Sequence, residues 1–198
     1  RIRHMGTENC VRILDAFRRE LEGCVETRTE TRVADLICEN GRVRGVKLAD
    51  GRFVEGRFVV AAPGRSGAAW MKEQIDRLGI RTSSAPVDIG VRVELPAAVL
   101  REVTDIAYEA KLIYYSRTFD EKVRTFCMNP YGEVVIETLG DIVTVNGHSW
   151  ATKRTENTNF ALLVSANFTE PFDDPIGYGE SVARLANMLG KGVIVQRL

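Results

Sequence analysis

The 198-residue sequence has no GxGxxG: none of its seventeen glycines has partners at the second and fifth positions that follow, and no Walker A sequence occurs. The chain therefore carries no complete glycine cradle for a dinucleotide or triphosphate. It also lacks a GxSxG elbow, an HExxH helix, an EF-hand loop and paired zinc-binding dipeptides, which removes the commonest hydrolase and metal signatures. There are only four cysteines, Cys10, Cys24, Cys38 and Cys127, with no CxxC pair and no ligand spacing to the two histidines, His4 and His148. The expectation is no metal site and buried free thiols in a reducing, cytoplasmic compartment. Net charge is missing as well, with 27 Lys plus Arg against 27 Asp plus Glu. That balance provides no field to attract nucleic acid or an anionic membrane. No apolar run approaches the ~18 residues of a membrane-spanning helix, and neither repeats nor low-complexity tracts are found.

What is there is ordinary globular material, 44% hydrophobic and 27% charged, long enough for one large domain or two small ones. Glu8 to Glu22 places Cys10, Leu14, Phe17 and Leu21 on one face, which predicts an amphipathic helix capped by Thr7 and ended by Gly23. Strands follow at Val33 to Glu39, Arg42 to Leu48 and from Phe53 onward, separated by Asn40-Gly41 and Asp50-Gly51, dipeptides suited to two-residue turns of positive φ. The apolar run within FVVAAPGRSG, Phe58 to Gly67, has the form of a strand buried on both faces, with a Pro-Gly turn leading to a helix that Ser66 would cap and that runs to about Leu78.

Beyond a connector, Val87 to Leu95 alternates apolar and polar residues, the mark of a half-buried strand. A short helix is expected from Pro96, then strands at Leu112 to Ser116, Val123 to Met128, Glu133 to Thr138, Ile142 to Asn146 and Phe160 to Phe168, and a last helix from Glu180 to Leu189. The predicted class is α+β, derived from an α/β arrangement, with a mainly antiparallel later region.

Chemistry-bearing residues cluster at strand ends. Cys127 and Asn129 lie in FCMNPYG, where a strand enters a turn, and either a ligand site or an ordinary turn with a packed cysteine fits. His148 lies in the polar strand end Val145 to Ser149, as an acid, a base or a structural histidine. Arg3 to Thr7 precedes the first helix and exposes backbone there. Thr155 to Asn159 reads as a solvated polar loop.

Taken together, RHMGTE ending at Glu8, FVVAAPGRSG, FCMNPYGEVV, VTVNGHSW, NTNFALLVS, FTEPF and GYGESVARLANMLGKGVIVQRL resemble a family of bacterial FAD-dependent dehydrogenases of unassigned substrate, in the glutathione-reductase-type flavoprotein class. The resemblance spans essentially the whole chain. It implies an internal fragment of a longer flavoprotein: the tail of an FAD-binding domain over 1–78 and part of a substrate domain over 79–198. It further implies that Val33, the Ala62, Pro63 and Gly64 turn, and Gly6 and Thr7 approach FAD, and that Cys127, Asn129 and His148 face the substrate. Two departures stand out. Pro63 replaces a residue with an N–H, and Asn129 stands where such proteins carry a second cysteine, which weakens any dithiol role for Cys127. Two other readings stay open: a flavin-holding scaffold that binds RNA or a partner without turnover, and an α+β domain with no catalytic role.

Overall fold

The computed structural model describes residues 5–169 and 171–197; the expectations for Arg3 and His4 lie outside the described residues. Helices and antiparallel strands make an α+β fold. The chain divides into two compact units, one of Glu20–Ser83 and one that joins the residues up to Arg19 to those from Ser84 onward. The sequence boundary at 78/79 falls close to the later edge of the first unit. Gly6 and Thr7, assigned by sequence to the cofactor unit, group instead with the later one. The reason is hydrogen bonding: Thr7 N–H donates to the Ser149 carbonyl (2.7 Å), and Ala151 N–H donates to Glu8 Oε1 (2.9 Å).

Helix α1 (Cys10–Leu21) forms as its periodicity predicts, after a single 3-10 turn at Thr7–Asn9. Thr7 does not cap it. Its hydroxyl is engaged with Ser149, and Gly6, at φ 83, starts the turn with no side-chain cap. The apolar stripe of α1 is uncovered, with Leu14 and Phe17 both exposed, and Cys10, Cys24 and Cys38 are exposed too. The expectation of buried thiols therefore fails for these three, and Cys127 is only half-buried. Cys10 is the first residue of the uncovered helix, Cys24 follows it, and Cys38 sits in the exposed end of its strand.

In the unit Glu20–Ser83, β1 (Val33–Glu39), β2 (Arg42–Leu48) and β3 (Phe53–Glu55) form an antiparallel meander in that order. Asn40 and Gly41 both take positive φ (50 and 73), as a two-residue hairpin of this twist requires. The second turn differs from expectation: only Gly51 is at positive φ, and Leu48 N–H reaches across to the Arg52 carbonyl, so the loop is longer. Asp50 holds it by accepting from Arg52 N–H (3.0 Å) and Nε (2.7 Å). The expected buried strand at 58–62 is absent. Phe58 is 81% and Val60 91% exposed, because a strand buried on both faces needs a hydrogen-bonded neighbour on each edge, and no strand of the described residues pairs here. Ser66 falls inside a 3-10 turn, Arg65–Gly67, rather than capping α2 (Ala68–Arg77), whose N-cap is Gly67.

The later unit contains β4 (Val87–Pro96), α3 (Arg101–Thr104), β5 (Ile113–Tyr115), β6 (Lys122–Pro130), β7 (Glu133–Leu139), β8 (Ile142–His148), β9 (Asn157–Ala166) and α4 (Pro175–Gly190). Its main sheet runs β4-β9-β6-β5, and β7 with β8 makes a separate hairpin. Buried Met128, Ile142, Phe160, Ala161 and Ala97 supply the apolar core. The last helix starts earlier than its apolar pattern implies. Asp174 Oδ1 accepts from Gly177 N–H (3.0 Å) and Pro175 occupies the first turn, both helix-start signals. Among the described residues no helix is long and apolar enough to cross a membrane.

Candidate functional site

Strand β6 does not run straight into its turn. Phe126 pairs with Ala161 and Asn129 with Asn159, so three steps on β6 match two on β9, a β-bulge at Cys127 and Met128. Cys127 takes the left-handed conformation, φ 48, uncommon for a residue with a side chain. The consequence is that the Cys127 carbonyl accepts from Arg92 Nη2 (2.7 Å) and Asn129 Nδ2 (3.1 Å).

Those two donors meet again on Asn159, whose Oδ1 receives Arg92 Nε (3.0 Å), Arg92 Nη2 (2.8 Å) and Asn129 Nδ2 (3.1 Å). Asn129 and Asn159 are fully buried, and Arg92 is half-buried. Three strands of the main sheet are thus tied by a polar knot. Strand β8 closes over it through Gly147, where a methyl group would overlap Arg92 Nη2 and Asn129 Nδ2. Gly132, after the turn, packs against the His148 carbonyl and leaves no room for a side chain either. Both positions need glycine for close approach rather than for backbone freedom.

Beside the knot, the segment after Gly147 meets the start of the chain. Ser149 is buried, its N–H donates to Thr7 Oγ1 (3.2 Å), and the two hydroxyls lie 3.3 Å apart. The His148 and Trp150 rings pack at 4.2 Å between centroids, and the Arg154 guanidinium lies 4.3 Å over the Trp150 ring. Trp150 Nε1 donates to Glu133 Oε1 (3.2 Å). The Ala151 N–H bond holds the Glu8 carboxyl below the ordinary glutamate range, with the charges of His148 and Arg154 adding to it. Burial pushes the Tyr108 phenol up, and its hydrogen bond with Ser149 opposes that rise. Buried atoms without a hydrogen-bond partner gather in this unit: Glu8 Oε2, His148 Nε2, Thr158 Oγ1 and Asn159 Nδ2. Buried polar atoms in folded proteins are nearly always paired, so these four are open positions for a further donor or acceptor.

Of the residues singled out by sequence, Gly6, Thr7, Asn129, Cys127 and His148 all fall in this later unit. Gly6 lies against Ala151 and Thr7 bonds to Ser149, while Asn129 and the Cys127 carbonyl belong to the knot. The Cys127 thiol is not what the knot uses. Val33 opens β1, and Ala62, Pro63 and Gly64 form an exposed to half-buried turn before α2, all in the unit Glu20–Ser83. Arg92, Asn159, Glu8, Tyr108 and Ser149 were missed. Thr155 to Asn159, expected as a solvated loop, begins β9, with Thr158 and Asn159 wholly buried. Polar residues at a strand start look the same in sequence whether they face water or each other; only the partners, from β4 and β6, decide. No group of three His, Cys, Asp or Glu among the described residues is placed to hold a metal ion. No protein-family model and no curated protein matches this chain.

Proposed function

We propose that this chain is part of an FAD-dependent oxidoreductase, with the meander and its following turn as the tail of the FAD-binding domain and the later unit as substrate domain. The observation that carries the reading is the meeting of residues 6–8 with residues 148–151. Two segments that mark the flavoprotein resemblance are bonded across 142 residues of sequence, and they leave buried Glu8 Oε2 and His148 Nε2 unpaired beside one another's segments.

The residues fit part of an FAD site. Gly64, at φ 67, has open space where a side chain would stand, so a cofactor can approach the turn closely, while Pro63 offers no N–H to it. Val33, Ala62, Pro63 and Gly64 would hold the cofactor from the meander unit, and the phosphate-binding glycines would come from outside this sequence. Bound FAD would supply the acceptance and release of a hydride. In the later unit, His148 would serve the substrate through its unpaired Nε2. Asn129 would fix the bulge from which the Cys127 side chain projects.

Flavin absorbance of the full-length protein tests this, together with bleaching of that flavin by NADH or NADPH and reoxidation by an acceptor. Protein that purifies colourless and takes up no FAD on refolding would end the proposal. The 198-residue chain alone is expected not to bind FAD tightly, since it lacks the pyrophosphate glycines.

A further inference from the structure

Arg92 is a cation without a counter-ion among the described residues. Its Nε and Nη2 go to Asn159 Oδ1 and the Cys127 carbonyl, both neutral acceptors, and Nη1 has no partner. The carboxylate two positions along its strand is engaged elsewhere: Glu94 Oε2 accepts from Val134 N–H (2.6 Å) and Oε1 from Asn157 Nδ2 (2.7 Å). Moving a guanidinium out of water is costly when nothing of opposite charge receives it. Here the side chain is also fixed, with three hydrogen bonds and the Gly147 backbone setting its plane. A pre-oriented donor loses little freedom when it takes a ligand.

The same knot holds a second unused donor. Asn159 is wholly buried, its oxygen grips the guanidinium, and its Nδ2 has no acceptor. We infer that Arg92, set by Asn159 and the Cys127 carbonyl, anchors one carboxylate group of a small monoanionic ligand, with Asn159 Nδ2 as a further donor. A single unbalanced positive charge matches a carboxylate; a phosphate monoester, at roughly −1.5 to −2, would leave negative charge uncompensated. The inference rests on the later unit being the substrate domain, and it names the substrate class as a carboxylic acid.

The test is titration of the isotopically labelled chain with sodium acetate, against sodium chloride at equal ionic strength, following the Arg92 Nε–H and Asn159 side-chain amide resonances. Saturable shifts with acetate and none with chloride are expected, and Arg92→Lys should weaken acetate at least tenfold. Asn159→Asp keeps the acceptor, removes the unpaired donor and places a carboxylate on the guanidinium. It should fold, melt higher than the parent chain and lose the acetate response, so the test stands even where Arg92→Lys does not fold. Absence of a saturable response, or one that survives in Asn159→Asp, overturns the site. A response to inorganic phosphate equal to or tighter than that to acetate overturns the carboxylate assignment. Flavin loading of the full-length protein is read separately. Flavin without an acetate response sinks this inference alone, and an acetate response without flavin sinks the oxidoreductase reading alone.

Discussion

Gln74 and Asn187 do the same work in the two units, and the difference in their surroundings shows what each unit depends on. Both are helix amides laid against the unpaired edge of a strand. Gln74 Oε1 accepts from Leu36 N–H (2.9 Å) and its Nε2 donates to the Ala34 carbonyl (3.3 Å), so α2 stands in for a missing neighbour of β1. Asn187 brackets a single residue of β8, accepting from Val143 N–H (2.8 Å) and donating to its carbonyl (2.7 Å). An amide side chain can do this because it carries the donor and acceptor of a peptide group, and covering an edge also blocks unwanted strand pairing. Gln74 is 1% exposed and Asn187 only half-buried. Buried hydrophobic residues in the meander unit amount to Leu48, whereas the later unit has Ala97, Met128, Ile142, Phe160 and Ala161. The meander is therefore held by register and by hydrogen bonds from α2 to β1, with Gln74 the buried member of that set. The later unit is held by a core and a polar knot.

The largest effect expected is at the knot. Gly132→Ala pushes a methyl group into the His148 carbonyl, a backbone atom with no rotamer to yield. Overpacking of this kind should cost about 3 kcal/mol, read as a lowered chemical-denaturation midpoint and as lost exchange protection at β6 and β8 amides. Unchanged protection there would show that the knot does not hold the later unit. Next comes Gln74→Leu, which keeps the volume but leaves the Leu36 N–H without its acceptor beside a side chain that is 1% exposed, while the Ala34 carbonyl still accepts from Trp70 Nε1 (2.7 Å). A loss of about 2 kcal/mol is expected, with the Leu36 amide exchanging first. A loss of only a few tenths would mean that apolar contacts of α2, not the amide, hold the meander.

Much of this contrast was legible beforehand in one unit and hidden in the other. β1 and β2 follow directly from alternation and the Asn40-Gly41 turn, because hairpin register is decided locally. The apolar run at Phe58 misled because composition specifies a preference for burial and not the presence of the strands that would provide it. In the later unit Arg92 occupies a polar position of an alternating strand, where solvent is the default partner. Nothing in VDIGVRVEL tells that Asn159, 67 residues on, will take its place. The bulge at Cys127 was equally invisible, since left-handed φ at a cysteine has no sequence signal. Cys127 and Asn129 were found by their position at a strand end, and what they do there depends on β4 and β9.

Asn187→Leu tests whether exposure sets the size of the clamp effect. Water can reach Val143 once the amide is gone, so the loss should be about 1 kcal/mol, the net value of ordinary hydrogen bonds, and smaller than at Gln74. Equal losses at the two sites would remove burial as the explanation of the contrast.

The smallest effect is local and depends on pH. The Glu8 carboxyl is held below the ordinary glutamate range by the Ala151 N–H. A depressed folded value means that its contribution is complete above the ordinary glutamate range and is lost as pH falls through the folded value. Protection of the Ala151 amide should therefore be constant near neutrality and decline only in acid, with little change in global unfolding. Glu8→Gln keeps an acceptor for that N–H but has no proton to gain, so its Ala151 protection should be independent of pH over the same interval. If the two proteins lose protection together, the attachment of residues 6–8 to the later unit rests on the Thr7 and Ser149 contacts, and the carboxylate has no part in it.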